Sequence, residues 1–213
     1  MTRRIPQRNF GSSRIKTPLV FAGQRVGIMG GTFNPPHEGH AIVAETALKK
    51  LALDQLWWMV TPGNPLKANG RLPPQAGRMA ACRRFARGPK MQITSFEAAL
   101  GTPYTAATLA FLQRRHPRVR FVWVMGADNL AGFEGWQNWH EIAETFPLAI
   151  IDRPKWRLKA LAQKPAQRYV RSRIDEADAG RIAALTAPAW TFLTSRLSPQ
   201  SSTALRAKAA GKG

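Results

Sequence analysis

Apolar and polar positions change their period several times along the chain, and these changes separate short strands from helices. Strands are predicted at residues 25–29, 55–60, 91–95, 119–125, 148–152 and 190–194. Helices are predicted at residues 38–51, 75–87, 104–115 and 136–145, and after residue 203. The pattern weakens over residues 155–188, where we expect one short helix and irregular structure.

Strands that alternate with helices indicate right-handed βαβ units and a parallel sheet that is covered on both faces. We therefore expect a doubly wound, Rossmann-like α/β fold of about five or six strands. The pattern places a single domain at residues 25–207. Residues 1–24 carry five cations, no acid and no periodicity, so we predict a basic, disordered arm there. Residues 208–213 form a basic tail.

Composition narrows the class of protein. The 213 residues are 44% hydrophobic, enough for one buried core, and none of the apolar runs approaches the ~20 residues that span a membrane. The single cysteine, Cys82, excludes an intramolecular disulfide and fits a reducing compartment. We expect a cytoplasmic protein without a membrane partner. Its formal net charge of +20 fits binding to a nucleic acid or to an anionic small substrate, and it also fits an organism whose proteins are generally basic.

The first candidate for chemistry is residues 30–40, GGTFNPPHEGH, between the first predicted strand and the first helix. Glycines allow a ligand to approach the backbone closely, and the start of a helix binds phosphate through its free N–H groups. His37 and His40 lie where that helix begins. Two imidazoles beside such a site indicate that the bound phosphate also takes part in a reaction.

Several common motifs are missing from the sequence. It contains no Gly-x-Gly-x-x-Gly, no Gly-x-x-x-x-Gly-Lys-Ser/Thr and no Gly-x-Ser-x-Gly. These absences disfavour a dehydrogenase, a P-loop enzyme and an α/β-hydrolase. The two histidines also lack the nearby cysteine pair of a structural zinc site.

Residues 30–40 resemble the signature of the nucleotidyltransferases that share a His-x-Gly-His motif. Residues 201–206, SSTALR, resemble the second signature of that superfamily. Four intermediate segments make the chain most similar to the nicotinate-nucleotide adenylyltransferases: PLK at 65–67, PYT at 103–105 followed by Thr108-Leu109, GADN at 126–129 and WQNW at 136–139. The resemblance is collinear over residues 26–207. It departs from the usual pattern at Leu66, where that family carries His, and at Gln200, where it carries Ile or Val.

The resemblance implies that the enzyme transfers the adenylyl group of ATP to nicotinate mononucleotide, a step of NAD biosynthesis that releases pyrophosphate. It implies catalytic roles for His37, His40 and Arg206. It implies ATP or phosphate binding by Gly30, Gly31, Thr32, Phe33, Lys67, Gly126, Asp128, Ser202 and Thr203. It implies nicotinate mononucleotide binding by Tyr104, Thr105 and Trp136. Mg²⁺ is expected to arrive with ATP, without a metal site in the protein, and imidazoles beside phosphates are expected to gain protonated character.

Other functions stay open at this point. Adenylyltransferases for nicotinamide mononucleotide or phosphopantetheine would share His37 and His40. A nucleic-acid-binding protein is a more distant alternative, suggested by the charge alone, and we regard nucleic acid as an unlikely partner. A homo-oligomer and the order of substrate binding are left open by the sequence.

Overall fold

The computed structural model describes residues 15–63 and 72–210. Its strands in these ranges are β1 (Arg25–Gly31), β2 (Gln55–Val60), β3 (Met91–Thr94), β4 (Arg120–Gly126), β5 (Leu148–Ile151), β6 (Arg173–Ile174) and β7 (Trp190–Leu193). Its α-helices there are α1 (Glu38–Lys50), α2 (Gln75–Arg83), α3 (Glu97–Leu100), α4 (Thr105–Arg115), α5 (Ala127–Leu130), α6 (Trp139–Thr145), α7 (Arg157–Leu161), α8 (Lys164–Arg168) and α9 (Ser202–Ala210). None of the helices in the described ranges is long and apolar enough to cross a bilayer.

The strands form one sheet in the order β3-β2-β1-β4-β5-β7-β6, and every neighbouring pair is parallel. The predicted α/β class and parallel sheet are confirmed, but the predicted five or six strands are too few. The additional strand, β6, has only two residues, which pair with Trp190 and Thr191 of β7. Two residues are too short to produce a recognisable alternation in the sequence.

Helices cover both faces of the sheet, as in a doubly wound fold. On one face, Val43 and Ala47 of α1 belong to a buried cluster with strand residues such as Val124. On the other face, Leu109 and Leu112 of α4 pack in a separate buried cluster. Each long helix therefore buries one apolar stripe against the sheet and leaves its polar side to solvent.

Two segments differ locally from the predicted elements. Gly126 ends β4 in an extended conformation, and the next four residues form the short helix α5 rather than the expected turn. Between residues 155 and 188 the chain forms α7, α8, β6 and two stretches of 3-10 helix, Val170–Ser172 and Glu176–Ala184. Such short elements give too few turns for a periodic signal, which explains why only one helix was expected.

Residues 15–24 lie against the domain, in contrast to the disordered arm predicted for residues 1–24. Ile15 is buried in the core, and the Thr17 hydroxyl is 3.0 Å from Nε2 of His116. The backbone N–H of Gly23 donates to the carbonyl of Arg118 at 2.7 Å. These contacts attach the segment before β1 to the end of α4 and the loop that follows it. The rest of the predicted arm, residues 1–14, lies outside the described residues.

Candidate active site

A cavity of about 500 Å³ opens at the carboxyl edge of the sheet, where β1 and β4 lie side by side. The strand order reverses direction here, since β2 and β3 lie beyond β1 and β5 lies beyond β4. Open α/β sheets bind ligands at such a switch point, where loops on the two sides diverge. The walls come from the end of β1, the start of α1, the end of β4 and the start of α9.

The side chains of His37 and His40 cap backbone N–H groups at the start of α1. Nδ1 of His37 accepts a hydrogen bond from the backbone N–H of Gly39 at 3.1 Å. Nδ1 of His40 accepts from the backbone N–H of His37 at 3.2 Å. The two rings lie with their centroids 3.9 Å apart. This reciprocal arrangement is a capping box in which imidazoles replace the usual hydroxyl and carboxylate.

The cap determines which ring nitrogen carries the proton. A neutral imidazole has one N–H, and because both Nδ1 atoms accept, the N–H of each ring is on Nε2. Burial and the charge of Arg153 lower the pKa of His37 to about 4. His37 is therefore neutral in the free protein at pH 7, and the gain of protonated character beside bound phosphates stays a prediction. The hydrogen-bond donor of the neutral ring is then Nε2–H.

Two glycines of the first signature have no room for a side chain. A Cβ on Gly30 would lie 2.7 Å from the indole ring of Trp123, which crosses over β1. A Cβ on Gly39 would overlap Nη1 of Arg153 and lie 2.9 Å from the His37 ring. The glycines therefore let neighbouring side chains reach the cavity wall.

The end of the chain completes the site by binding to the loop after β1. The hydroxyl of Ser202 donates to the carbonyl of Pro35 at 2.9 Å. Nη1 of Arg206 donates to the carbonyl of Asn34 at 2.6 Å, and Nη2 of the same group donates to the Thr203 hydroxyl at 3.2 Å. The two signatures, more than 160 residues apart in sequence, thus form one surface of the cavity.

Arg153, which the sequence did not single out, connects three parts of the site. It follows β5, and only 13% of its side chain is exposed. Nε lies 3.8 Å from Oδ1 of Asp128, and Nη2 donates to the carbonyl of Gln200 at 3.2 Å. The cation thus sits between the end of β4, the start of α1 and the segment before α9.

A second arginine that the sequence did not single out connects loops that border the cavity. Arg78 of α2 is buried, and its Nη1 donates to the carbonyls of Thr32 at 2.7 Å and Thr61 at 2.9 Å. Its Nε donates to the carbonyl of Pro73 at 3.1 Å. One guanidinium therefore joins the loops that follow β1 and β2. A lone arginine within a helical pattern offers no sequence signal for such a role.

The remaining wall is partly aromatic and includes the start of α4. It contains Tyr104, Thr105 and Trp136, the residues expected to bind the second substrate. Trp136 packs edge-on against Trp123 at 6.1 Å between ring centroids. Glu97, a buried carboxyl group that the sequence did not single out, lines the same cavity.

The cavity brings together every predicted site residue that falls in the described ranges. These are Gly30, Gly31, Thr32, Phe33, His37, His40, Tyr104, Thr105, Gly126, Asp128, Trp136, Ser202, Thr203 and Arg206. Lys67 lies outside the described residues. Within the described part of the chain, no three His, Cys, Asp or Glu side chains are grouped so that they could hold a metal ion.

The sequence was compared with protein-family models and with known proteins, and the matches agree on one family. The cytidylyltransferase-like family model matches residues 28–208. A protein of Agrobacterium fabrum strain C58, named a probable nicotinate-nucleotide adenylyltransferase, is 56% identical over 181 residues, which cover 85% of this chain and 97% of that protein. A protein of Mesorhizobium japonicum with the same name is 54% identical over 194 residues, which cover 91% of this chain and 100% of that protein.

Among solved structures, nicotinic acid mononucleotide adenylyltransferase of Plasmodium falciparum complexed with NaAD is similar with a TM-score of 0.64. The match covers 86% of this chain and 83% of that one at 14% sequence identity, so it bears on the fold alone. The sequence relatives bear on the family as well, because they are similar over nearly their whole length. The chain therefore belongs to the cytidylyltransferase-like family and, within it, to the nicotinate-nucleotide adenylyltransferases.

Proposed function

We propose that this enzyme transfers the adenylyl group of ATP to nicotinate mononucleotide and releases pyrophosphate. The phosphate of the mononucleotide attacks the α-phosphorus of ATP, and the bond from that phosphorus to the bridging oxygen of the leaving pyrophosphate breaks. The observation that carries the proposal is the junction of the capped histidine pair with Ser202 and Arg206 at one cavity. This junction supplies hydrogen-bond donors of the kind that phosphoryl-type transfer needs.

Binding of the ATP phosphates is assigned to residues of the two signature segments. The Nε2–H groups of His37 and His40 donate to oxygens around the α-phosphorus. Arg206 and the hydroxyls of Ser202 and Thr203 bind the β- and γ-phosphates as they become pyrophosphate. Such fixed donors stabilise the charge that develops during transfer without first having to be reorganised. A role for Lys67 beside the same phosphates stays a prediction.

The two nucleosides are assigned to the two sides of the switch point. Gly126 and Asp128 face the adenosine, with the Asp128 carboxylate as acceptor for hydroxyl groups. Tyr104, Thr105 and Trp136 enclose the pyridine ring of the mononucleotide, and Trp136 stacks on it. Both reacting groups are then held in one orientation, which contributes to the rate of such transfers together with charge stabilisation.

ATP enters as its complex with a divalent cation, which we infer to be Mg²⁺. Mg²⁺ keeps most of its waters when it travels with nucleotide phosphates, so it requires few protein ligands. The cation neutralises phosphate charge, while the protein's own part is to hold and orient the phosphates.

Product analysis after incubation with ATP, Mg²⁺ and nicotinate mononucleotide tests this function. We expect nicotinate adenine dinucleotide and pyrophosphate in equal amounts. Parallel reactions with nicotinamide mononucleotide and with phosphopantetheine test the related activities. A faster reaction with either of these would overturn the assigned substrate, and no pyrophosphate release from any of the three would overturn adenylyl transfer.

A further inference from the structure

Gln200 lies just before the second signature, residues 201–206, and the proposed phosphate chemistry does not use it. It does not line the cavity. Its side-chain Oε1 accepts a hydrogen bond at 3.2 Å from the backbone N–H of Glu38, the first residue of α1. Its own carbonyl accepts from Nη2 of Arg153, which does line the cavity, at 3.2 Å. Gln200 therefore contacts the start of α1 and the cavity wall at the same time.

The contact with Gln200 completes the capping of α1. The N–H groups at the start of a helix have no partner within the helix itself. Those of His37 and Gly39 bond to the two imidazoles, and that of His40 bonds to the His37 carbonyl at 2.9 Å. The N–H of Glu38 bonds to Gln200. Of these four bonds, the last is the one whose acceptor lies outside residues 37–40, so it joins the helix to a distant part of the chain.

The segment that contains Gln200 is held against α1 by further contacts. Oε1 of Glu38 accepts from Nη2 of Arg196 at 3.1 Å. The backbone N–H of Gln200 donates to the hydroxyl of Ser198, a buried residue, at 3.3 Å. Both the backbone and the carboxylate of Glu38 thus bind residues 196–200. Because this segment leads directly into α9, it determines where the start of α9 lies relative to the start of α1.

We propose that Gln200 is a positioning residue that fixes the spacing between the two phosphate-binding parts of the site. This inference rests on the proposed function, in which the histidine pair of α1 holds the α-phosphate and α9 holds the β- and γ-phosphates. ATP reaches both parts at once, whereas AMP reaches the first and pyrophosphate the second. A ligand that spans two sites gains affinity only while their spacing matches its length. Loss of the Gln200 contact therefore weakens ATP binding selectively, since each part keeps its own donors.

The variant Gln200→Met tests the spacing role, because it keeps the length of the side chain and removes the acceptor. We expect KM for ATP to rise about three- to tenfold, the effect of losing one hydrogen bond. KM for nicotinate mononucleotide and the inhibition constants of AMP and pyrophosphate should stay within about twofold. If the inhibition constant of pyrophosphate rose as much as KM for ATP, Gln200 would support α9 alone, and the role in spacing would be overturned.

A double-mutant cycle assigns the effect to the hydrogen bond between Gln200 and Glu38. Glu38→Pro removes the donor: proline suits the first position of a helix, and the backbone of His37 before it is already extended. Glu38→Gln removes the carboxylate and keeps the N–H. Adding Gln200→Met should raise KM for ATP about three- to tenfold in the Glu38→Gln background and less than about twofold in the Glu38→Pro background. An equal rise in both backgrounds would overturn the assignment to this bond.

Gln167 provides the matched control. It is also exposed, its Nε2 donates to the carbonyl of Leu161 at 2.7 Å, and it does not line the cavity. Gln167→Met should leave all four constants within about twofold of wild type. If Gln200→Met instead lowered the melting temperature and lowered kcat/KM for both nucleotides in parallel, Gln200 would only stabilise the fold, and the role in spacing would be overturned.

Failure of this inference is distinguishable from failure of the proposed function. If the wild type forms the dinucleotide and Gln200→Met changes KM for ATP by less than about twofold, the role of Gln200 is overturned while the function stands. If the wild type forms no dinucleotide from ATP and nicotinate mononucleotide, both the function and the inference are overturned.

Discussion

In the proposed function, His40 combines a structural and a chemical task in one side chain. Its Nδ1 accepts the backbone N–H of His37 at the start of α1, and its Nε2–H is assigned to a phosphate oxygen. His40→Ala should lower kcat about 10²- to 10³-fold, the usual effect of losing one donor to a developing charge. Steady-state pyrophosphate release measures the loss, and circular dichroism should show an intact fold.

A control histidine separates chemistry from general damage. His140 stacks on Trp139 and does not line the cavity, so His140→Ala should retain nearly full turnover. If His40→Ala were as active as His140→Ala, the role assigned to His40 would be wrong.

His37 and Arg153 are coupled by charge. The pKa of His37 is lowered to about 4, first by burial and then by the Arg153 cation. Arg153→Gln should raise the pKa of His37 only part of the way to 6.5, since burial remains. A titration followed by ¹H–¹⁵N NMR of histidine-labelled protein measures this pKa. Arg157→Gln, at a cation that binds Asp152 outside the cavity, should leave it unchanged. An equal pKa in wild type and Arg153→Gln would refute the coupling.

At the scale of elements, helix α2 holds two loops of the site through one side chain. Arg78→Met keeps the aliphatic stem and removes the donors to Thr32, Thr61 and Pro73. We expect a loss of about 2–4 kcal/mol in the free energy of unfolding, because three part-buried hydrogen bonds from a charged group are lost. Urea denaturation measures it. The control is Arg83→Met, at an exposed position of the same helix, which should change the free energy of unfolding by less than about 0.5 kcal/mol. An equal loss in both variants would contradict the role of Arg78.

Helices and strands long enough to show a periodic pattern of apolar residues could be predicted from the sequence. The side chains that connect these elements in the folded protein could not. The pattern located β2 at residues 55–60 without error and α1 to within one residue of its end. It missed β6, which is too short to have a period, and it gave a turn where α5 begins. Arg78 and Arg153 were missed for another reason. Their partners are carbonyls and side chains of other elements, which only the folded chain brings within reach.

At the scale of the molecule, the site depends on both ends of the domain. Asn34 and Pro35 follow the first strand, while Ser202 and Arg206 belong to the last helix. The hydrogen bond from Ser202 to Pro35 is part-buried and the one from Arg206 to Asn34 is exposed, so the two ends of the domain meet at the rim of the cavity.

The net charge of +20 is the remaining whole-molecule feature, and it predicts a salt effect on the reaction. Many of the acids are engaged with cations: Glu38, Glu45, Asp54, Asp128, Glu134, Asp152, Glu176 and Asp178 form ion pairs. Excess positive charge attracts anionic substrates over a distance of about a Debye length, which is ~30 Å at 0.01 M salt and ~8 Å at 0.15 M. Raising NaCl across that range should lower kcat/KM for both nucleotides and change kcat little.

A filter-binding assay over the same range of salt distinguishes attraction of the substrates from binding of nucleic acid. If the charge serves small anions, duplex DNA and RNA retained on filters should dissociate by about 0.2 M salt, as nonspecific complexes of basic proteins do. ATP should then compete only weakly with nucleic acid, because nucleic acid held by surface charge would not occupy the cavity. Tight nucleic-acid binding that persists at 0.2 M salt, together with a kcat/KM that salt does not change, would mean that the charge evolved for a polymer rather than for the nucleotides of this reaction.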